Sequence, residues 1–345
     1  MVTVAAVAHS VPPARGQQDL WDGFFKTYYR ADTRAERIWR AAGVSTRHAV
    51  AIPPDVDVSG WGTGARMELY GEAAVPLGKD AVTAALNEAG LRADQIGLFA
   101  VASCTGYITP GLDILVARDL GMAPGVHRLL IGHMGCYAAL PGLGAAADYV
   151  RSRGRPAVLL CLELPSLHIQ PVVRGRADLA QVVAHALFAD AAAAAVLTPD
   201  ESGLQLADLA AVTDPAASGY MTWDVTDHGF RMGLSPRVPA VLARHVKPVV
   251  TDMLGRHGLG VSDVAGWAVH PGGPRILDVV ADRLGLRDNA LDASHSVLRD
   301  YGNCSSATAL LLLERLAPGL ARGAHIVMLA FGPGLTLQAG LLKAA

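Results

Sequence analysis

The chain has 345 residues, of which 51% are hydrophobic and 17% charged. That supplies a large buried core and excludes wholesale disorder, and the length fits two domains or one large double domain. The formal net charge is -2 with no long run of one sign, which argues against a nucleic-acid or membrane-surface binder but leaves room for a local Arg cluster that meets an acidic ligand.

In chain order, a short apolar strand, Thr3 to His9, comes first. Residues Met1 to Pro13 lack the basic start and long apolar core of a signal peptide. A helix-like region rich in Arg and Trp follows, with Arg34 and Arg37 three apart on one face. Such a pair is either a solvated face or a phosphate-binding edge. Ile52 to Gly64 reads as a loop. Met67 to Ala89 reads as an amphipathic helix or helix pair stopped by Gly90. A buried strand is expected at Leu98 to Ser103, a turn at Gly106 to Pro110 and a helix at Leu112 to Leu120. The strand-like run Arg128 to Ile131 then leads into Gly132-His133-Met134-Gly135-Cys136, and a small-residue helix runs from Ala138 to Val150. Ala157 to Glu163 is an apolar strand. Ala177 to Phe188 is helical, and Asp190 precedes a strand of Ala and Val.

The second half repeats this logic. After Cys136 come a small-residue helix, an Arg-Gly-Arg turn (Arg153 to Arg155) and the strand at Ala157. After Asn303 come an Ala/Leu helix (Ala307 to Leu316), an Arg-Gly turn (Arg322-Gly323) and the strand His325 to Leu329. The near-equal spacing predicts two similar halves, residues 1–202 and 203–345, joined at the polar stretch Thr198 to Gly203, with Cys136 and Asn303 at equivalent helix starts. The uncharged run Ile326 to Leu342 is broken by Gly332-Pro333-Gly334 and reads as two strands rather than a membrane span. Gly219 to Phe230 carries no clear pattern.

The four cysteines, Cys104, Cys136, Cys161 and Cys304, show no CxxC or zinc spacing. The chain is too long to need disulfide staples, so reduced thiols in a soluble cytoplasmic protein are expected. A lone Cys is usually a small buried hydrophobe. Cys136 differs because the N–H groups and positive end of a following helix favour a thiolate. His270 ends the strand Trp267-Ala268-Val269 and precedes Pro271-Gly272-Gly273, and strand ends followed by loops present side chains at clefts. An imidazole within reach can pair with a thiolate, and a His N–H with an Asn amide can hold a developing enolate or oxyanion. The structural alternatives are a satisfied strand-end His and an N-cap Asn. The scattered His residues lack metal-ligand spacing.

Several motifs together resemble the type III polyketide synthases, the chalcone-synthase-like family of the thiolase superfamily. They are Gly135-Cys136, Leu187-Phe188-Ala189-Asp190-Ala191-Ala192, His270-Pro271-Gly272-Gly273-Pro274, Gly302-Asn303-Cys304-Ser305-Ser306 and Phe331-Gly332-Pro333-Gly334-Leu335-Thr336, in family order and over most of the chain. The resemblance implies an α/β fold with a five-layered αβαβα core, a homodimer, no cofactor beyond coenzyme A thioesters as substrates, and no acyl carrier protein. It implies that Cys136 takes the starter acyl group, and that His270 and Asn303 assist malonyl-CoA decarboxylation and stabilise the attacking enolate.

By the same resemblance Phe188 is a gatekeeping aromatic, and a second gatekeeper is Met232 in place of the usual aromatic. Arg34 and Arg37 match positions that meet coenzyme A phosphates, while a third basic position is Ala41 here, beside Arg40. The cavity-lining set is Cys104, Thr105, Pro165, His168, Trp223 and Ser305. The bulk of Trp223 implies fewer or smaller extension products, and Cys104 matches bacterial members that make naphthalene-type products. Cys161 and Cys304 read as buried structural thiols. Two rivals are a β-ketoacyl-acyl-carrier-protein synthase III, which would need carrier protein and usually has a different turn after the His, and a non-catalytic thiolase-fold partner, which would have lost the nucleophile.

Overall fold

Alternation of side chains between two faces organises this molecule. The computed structural model describes residues 2–171 and 177–345. In the first half, β1 (Thr3–Ser10) is followed by the short pair β2 (Ala14–Gly16) and β3 (Thr46–His48). Between that pair lie the helical turns α1 (Gln17–Leu20) and α2 (Lys26–Tyr28), joined by a π-turn, and α3 (Thr33–Arg40). Asp32 caps α3 by accepting from the Arg34 and Ala35 N–H groups, the usual stabilisation of a helix start. The expected helix or helix pair is one 26-residue helix, α4 (Thr63–Glu88), with Pro76 inside it. Then come β4 (Leu98–Ala102), α5 (Leu112–Asp119), β5 (His127–Ile131), α6 (Ala139–Arg153), β6 (Ala157–Glu163), α7 (Leu179–Leu187) and β7 (Ala191–Thr198).

The second half contains β8 (Leu204–Thr213), the hairpin strands β9 (Met221–Thr226) and β10 (Gly229–Leu234), α8 (Val238–Gly255) and β11 (Val264–Val269). It ends with α9 (Pro274–Leu284), α10 (Asp292–Tyr301), α11 (Ala307–Leu316), β12 (His325–Gly332) and β13 (Thr336–Ala344). The stretch without a sequence pattern is therefore the β9–β10 hairpin, which forms its own two-stranded sheet. Its outer face is wet, with Val225 and Asp224 exposed, so hydrophobic periodicity is blurred there.

The halves match strand for strand. The order β4-β6-β7-β1 in the first half corresponds to β11-β12-β13-β8 in the second. In both, the first pair is parallel and the next two are antiparallel. β5 is the extra strand of the first half, at the edge beside β4. A short β1–β8 contact at Thr3 and Val4 joins the two sets into one nine-stranded sheet.

Both faces of each half-sheet are covered. On β6, Val158, Leu160 and Leu162 enter one core and Ala157, Leu159 and Cys161 another. On β12, Ile326, Met328 and Ala330 share that second core, while Val327, Leu329 and Phe331 enter a third. The second core contains α6 and α11, the first lies under α4, and the third lies under α8 and α9. The layers are thus helix, sheet, helix pair, sheet, helix, the thiolase-like αβαβα arrangement. Strands buried on both sides read as unbroken apolar runs, as β6 and β7 do.

Candidate active site

The site is built where the central helices begin. β5 ends at Ile131, and a tight turn with His133 at φ 62° and Gly135 at φ 70° delivers Cys136 into a short 3-10 turn three residues before α6. Gly135 is required: an added Cβ would lie 2.9 Å from Pro333 Cδ, on a backbone region that disfavours side chains. Asn303 does not stand at the helix start, and the structural alternative of an N-cap falls, since Ser306 holds that position. Asn303 precedes α11 by four residues and pairs with Phe188 in a parallel bridge. Its N–H donates to Leu187 O at 2.8 Å and its C=O accepts from Ala189 N at 3.0 Å. Its side-chain Oδ1 accepts from Ser305 N at 2.9 Å, which leaves the amide NH2 as the free donor end. His270 follows β11, tied by its N–H to Leu329 O at 2.8 Å.

These three residues border one space. A tunnel of about 480 Å³ is lined by Cys136, His270 and Asn303 together with Phe188, Met232 and Phe331. A smaller chamber of about 160 Å³ is lined by Cys136, Cys104, Thr105, Pro165, Trp223 and Ser305. Cys136, Phe188, Met221 and Met232 line both spaces. The nucleophile candidate thus stands at the junction, beside the two gate candidates. Met221, unmarked in the sequence, joins them because the hairpin folds it inward.

The electrostatics correct the sequence expectation of a low thiol pKa. Burial pushes the Cys136 thiol up to about 12, with a Ser305 hydrogen bond pulling the other way and the Glu163 charge adding to the rise. Burial alone lowers His270 to about 3. Cys136 is therefore a neutral thiol and His270 a neutral imidazole near neutral pH. His270 is 1% exposed, yet neither ring nitrogen has a hydrogen-bond partner. Its ring stands edge-on to Phe331 with centroids 5.8 Å apart. An unpaired buried polar group costs roughly 1–3 kcal/mol, and this ring borders the tunnel.

Below the chamber lies a carboxylate that the sequence reading missed. Glu163, fully buried, accepts from Cys104 N at 3.0 Å, Thr105 Oγ1 at 2.8 Å and Ser306 Oγ at 2.7 Å, and Ser305 Oγ is 3.5 Å away. Burial raises its pKa and these donors oppose the rise. The available signal was a Glu closing an otherwise apolar strand, since a buried charge needs several partners.

The other candidates divide. His168 does not line the chamber. It sits behind Trp223, against a separate hollow of about 50 Å³. Arg34 and Arg37 are absent from the tunnel lining, although Ile38, Ala41 and Ala42 at the end of the same helical segment line it. Arg34 is paired with Asp32 at 3.3 Å. Arg275, not singled out from sequence, is the sole charged Arg, Lys, Asp or Glu among the described residues that line the tunnel. Cys161 and Cys304 are buried and Cys104 is partly exposed, all as free thiols. Among the described residues no group of three or more His, Cys, Asp or Glu could hold a metal ion.

Comparison with known proteins agrees with this architecture. The sequence profile of the N-terminal domain of chalcone and stilbene synthases matches residues 2–201, and that of their C-terminal domain matches residues 206–345. The chain is 35% identical to a 1,3,6,8-tetrahydroxynaphthalene synthase of Streptomyces peucetius, over 99% of this chain and 93% of that protein. It is 33% identical to an alpha-pyrone synthesis polyketide synthase-like Pks18 of Mycobacterium tuberculosis, over 88% of this chain and 81% of the relative. The crystal structure of the tetrahydroxynaphthalene synthase of Streptomyces coelicolor, a bacterial type III polyketide synthase, superposes with a TM-score of 0.92 at 28% identity, covering 99% of each chain. With both halves matched and the whole fold shared, the chain belongs to the chalcone and stilbene synthase family, the type III polyketide synthases.

Proposed function

We propose that this type III polyketide synthase, an acyltransferase, extends an acyl-CoA starter with malonyl-CoA on Cys136 and releases a pyrone or cyclised aromatic product. The observation that carries the residue assignment is the lining of one tunnel by Cys136, His270 and Asn303, with both His270 ring nitrogens unpartnered. Among the rivals, neither a carrier-protein-dependent ketoacyl synthase nor a non-catalytic partner is favoured by these relatives.

The chemistry follows from the groups. The Cys136 thiol gives its proton to His270 as its sulfur attacks the starter thioester carbonyl. The C–S bond to coenzyme A breaks, its thiolate takes the proton from His270 and leaves as the free thiol, and the acyl group stays on Cys136. Malonyl-CoA then loses CO2, and the electron pair of the broken C–C bond becomes an enolate. A His270 N–H and the Asn303 amide are the donors placed to hold its oxygen. The enolate carbon attacks the acyl carbonyl, a new C–C bond forms, and the Cys136 thiolate leaves. Splitting the reaction this way is the gain from covalent catalysis. A dry tunnel strengthens both hydrogen bonds.

Arg275 lines the tunnel with no acidic partner among the described residues, and its guanidinium is suited to a coenzyme A phosphate; Arg34 and Arg37, off the tunnel lining, stay candidates for the same phosphates by family resemblance alone. Phe188 and Met232 stand between tunnel and chamber as gates. Cys104, Thr105, Pro165, Trp223 and Ser305 bound the space for the growing chain, and the Trp223 ring restricts it to short products. A second copy of the chain is the expected partner: β5 is an unpaired sheet edge with Leu130 54% and Leu129 37% exposed, the kind of edge that soluble proteins cover.

A carrier-free assay tests the reading. Purified protein, labelled malonyl-CoA and a panel of acyl-CoA starters are expected to yield labelled pyrones or phenolics, with a loss on the order of a thousandfold or more in Cys136→Ala. Product that persists in the variant removes Cys136 from its role. Product that appears only with acyl carrier protein turns the assignment to the ketoacyl synthase.

A further inference from the structure

A helix leaves its last four carbonyls without partners inside the helix. At the end of α7 these belong to His185, Ala186, Leu187 and Phe188, because Phe188 N–H makes the last helical bond, to Ala184 O at 3.0 Å. Each of the four finds a donor from a distant segment. Leu187 O accepts from Asn303 N at 2.8 Å. Ala186 O accepts from Gln17 Nε2 at 2.9 Å. The His185 and Phe188 carbonyls both accept from one atom, Nη1 of Arg47, the second at 3.2 Å. The backbone that carries Asn303 is thus one of a set of caps, and Arg47 supplies two of its four bonds.

The strand β3 brings Arg47 to this place. The next residue, His48, accepts at its carbonyl from Asp190 N at 2.8 Å, and Ala189 N donates to Asn303 O. So β3 and Asn303 both bond to the stretch that leaves α7. The guanidinium carbon lies 4.8 Å from the Trp39 ring centroid and 5.9 Å from that of Phe25, and the negative faces of such rings attract a cation. Gly302, at φ 79°, lets the Asn303 segment come close: an added Cβ would lie 3.0 Å from Leu187 O and 3.5 Å from Arg47 Cγ.

Packing alone does not call for a guanidinium here. Arg47 is 7% exposed, and its Nε has no hydrogen-bond partner among the described residues. Burial lowers its pKa to about 10, with the Asp190 charge acting against the fall, so it is a cation at neutral pH. A buried cation is costly, and an apolar side chain of similar volume in such a place is often neutral or stabilising. What the guanidinium supplies, and an apolar chain does not, is positive charge and N–H donors at the negative end of α7.

We infer that Arg47 is a positioning residue for decarboxylation: by capping α7 it fixes the stretch Leu187 to Ala189, to which Asn303 is bonded, and so aims the Asn303 amide. This role rests on the reading of Asn303 as a donor to the enolate. Cys136 and His270 stand outside this set of bonds, on the β5–α6 turn and at the end of β11, so acylation of Cys136 does not pass through Arg47.

Two half-reactions separate this role from general damage. In the first, an acyl-CoA starter alone acylates Cys136 and releases free coenzyme A, followed by rapid quench and protein mass. In the second, malonyl-CoA alone loses CO2, and the enolate takes a proton from water and leaves as acetyl-CoA, followed by labelled CO2. Arg47→Met fills the slot between Trp39 and Phe25 but brings no donor. It is expected to acylate Cys136 at the parent rate and to release CO2 about a hundredfold more slowly, the scale of a misplacement of about 1 Å. Asn303→Ala gives the same split, and the double variant loses no more than Asn303→Ala, because residues that act through one group do not add. Should Arg47→Met not fold, Arg47→Lys, which keeps a cation at the helix end without the planar fork, shows the same split with a smaller loss.

Parental CO2 release in a folded Arg47→Met overturns the role of Arg47 and leaves that of Asn303 in place. So does an equal fall in both half-reactions, or a double variant whose losses multiply. Parental CO2 release in Asn303→Ala overturns the reading of Asn303 itself, and the role of Arg47 with it.

Discussion

At the scale of single residues, the site is defined by what it leaves unpaired. His270 bears an uncompensated burial cost, while nearby Glu163 and His168 have several partners each. His270→Leu is therefore expected to abolish extension while keeping or raising stability at pH 7, by up to about 2 kcal/mol, since an apolar replacement removes a buried unsatisfied group. The pH dependence follows from the same burial. The folded pKa of about 3 lies below the ordinary 6.5, so the unfolded chain binds the extra proton between those values. Stability from the neutral imidazole is full above pH 6.5 and is lost as pH falls towards 3, at up to about 1.4 kcal/mol per pH unit. Melting temperatures at pH 7 and pH 5 check this: the gap between His270→Leu and parent should widen in acid, and a constant gap sinks the argument. Cys136 belongs here too. Its raised pKa makes a neutral thiol the resting form, in place of the thiolate that its position before a helix suggests, because burial outweighs the partial charge of a helix end.

At the scale of elements, turns rather than strands set the catalytic geometry. The β5–α6 turn needs Gly135 for both its φ of 70° and its approach to Pro333. Gly135→Ala is expected to cost about 1–3 kcal/mol of stability and, by moving Cys136, to lower kcat more than it raises KM. Thermal melts with steady-state kinetics test this, and a variant with parental kcat and melting temperature removes the constraint. The start of the second central helix works differently. Asn303 is held by backbone bonds to Leu187 and Ala189, so the loop after α7 fixes the amide and Phe188 together. Local sequence shows an Asn before a helix and leaves a cap and a cleft-facing amide both open; only the pairing with a segment more than a hundred positions away decides against the cap.

At the scale of the molecule, two matched halves place the candidate site between the starts of α6 and α11, and the sheet ends in two edge strands among the described residues, β11 and β5. β5 exposes Leu129 and Leu130 beside unpaired backbone groups. A second copy covering that edge would appear as a dimer in analytical ultracentrifugation, and Leu130→Lys, which places a charge on the edge, should shift the species towards monomer. A dimer of undiminished affinity in that variant would place the interface elsewhere. Across the described residues no helix is long and apolar enough to cross a membrane, in keeping with the reading of Ile326 to Leu342 as β12 and β13.

The sequence by itself pointed to an α/β chain with an internal repeat, because apolar strands and small-residue central helices leave a pattern that is local in the chain, while the five layers followed from the family resemblance. Its motifs also singled out Cys136, His270 and Asn303, which line one tunnel. Tertiary structure alone decided how those residues are charged, because the cost of burying an ion depends on neighbours from every layer. It decided that Glu163 lies beneath the chamber, that His168 stands behind the wall rather than in it, and that Arg275 rather than Arg34 or Arg37 lines the tunnel. Such facts depend on which distant segments share a surface, and a one-dimensional pattern carries no term for that.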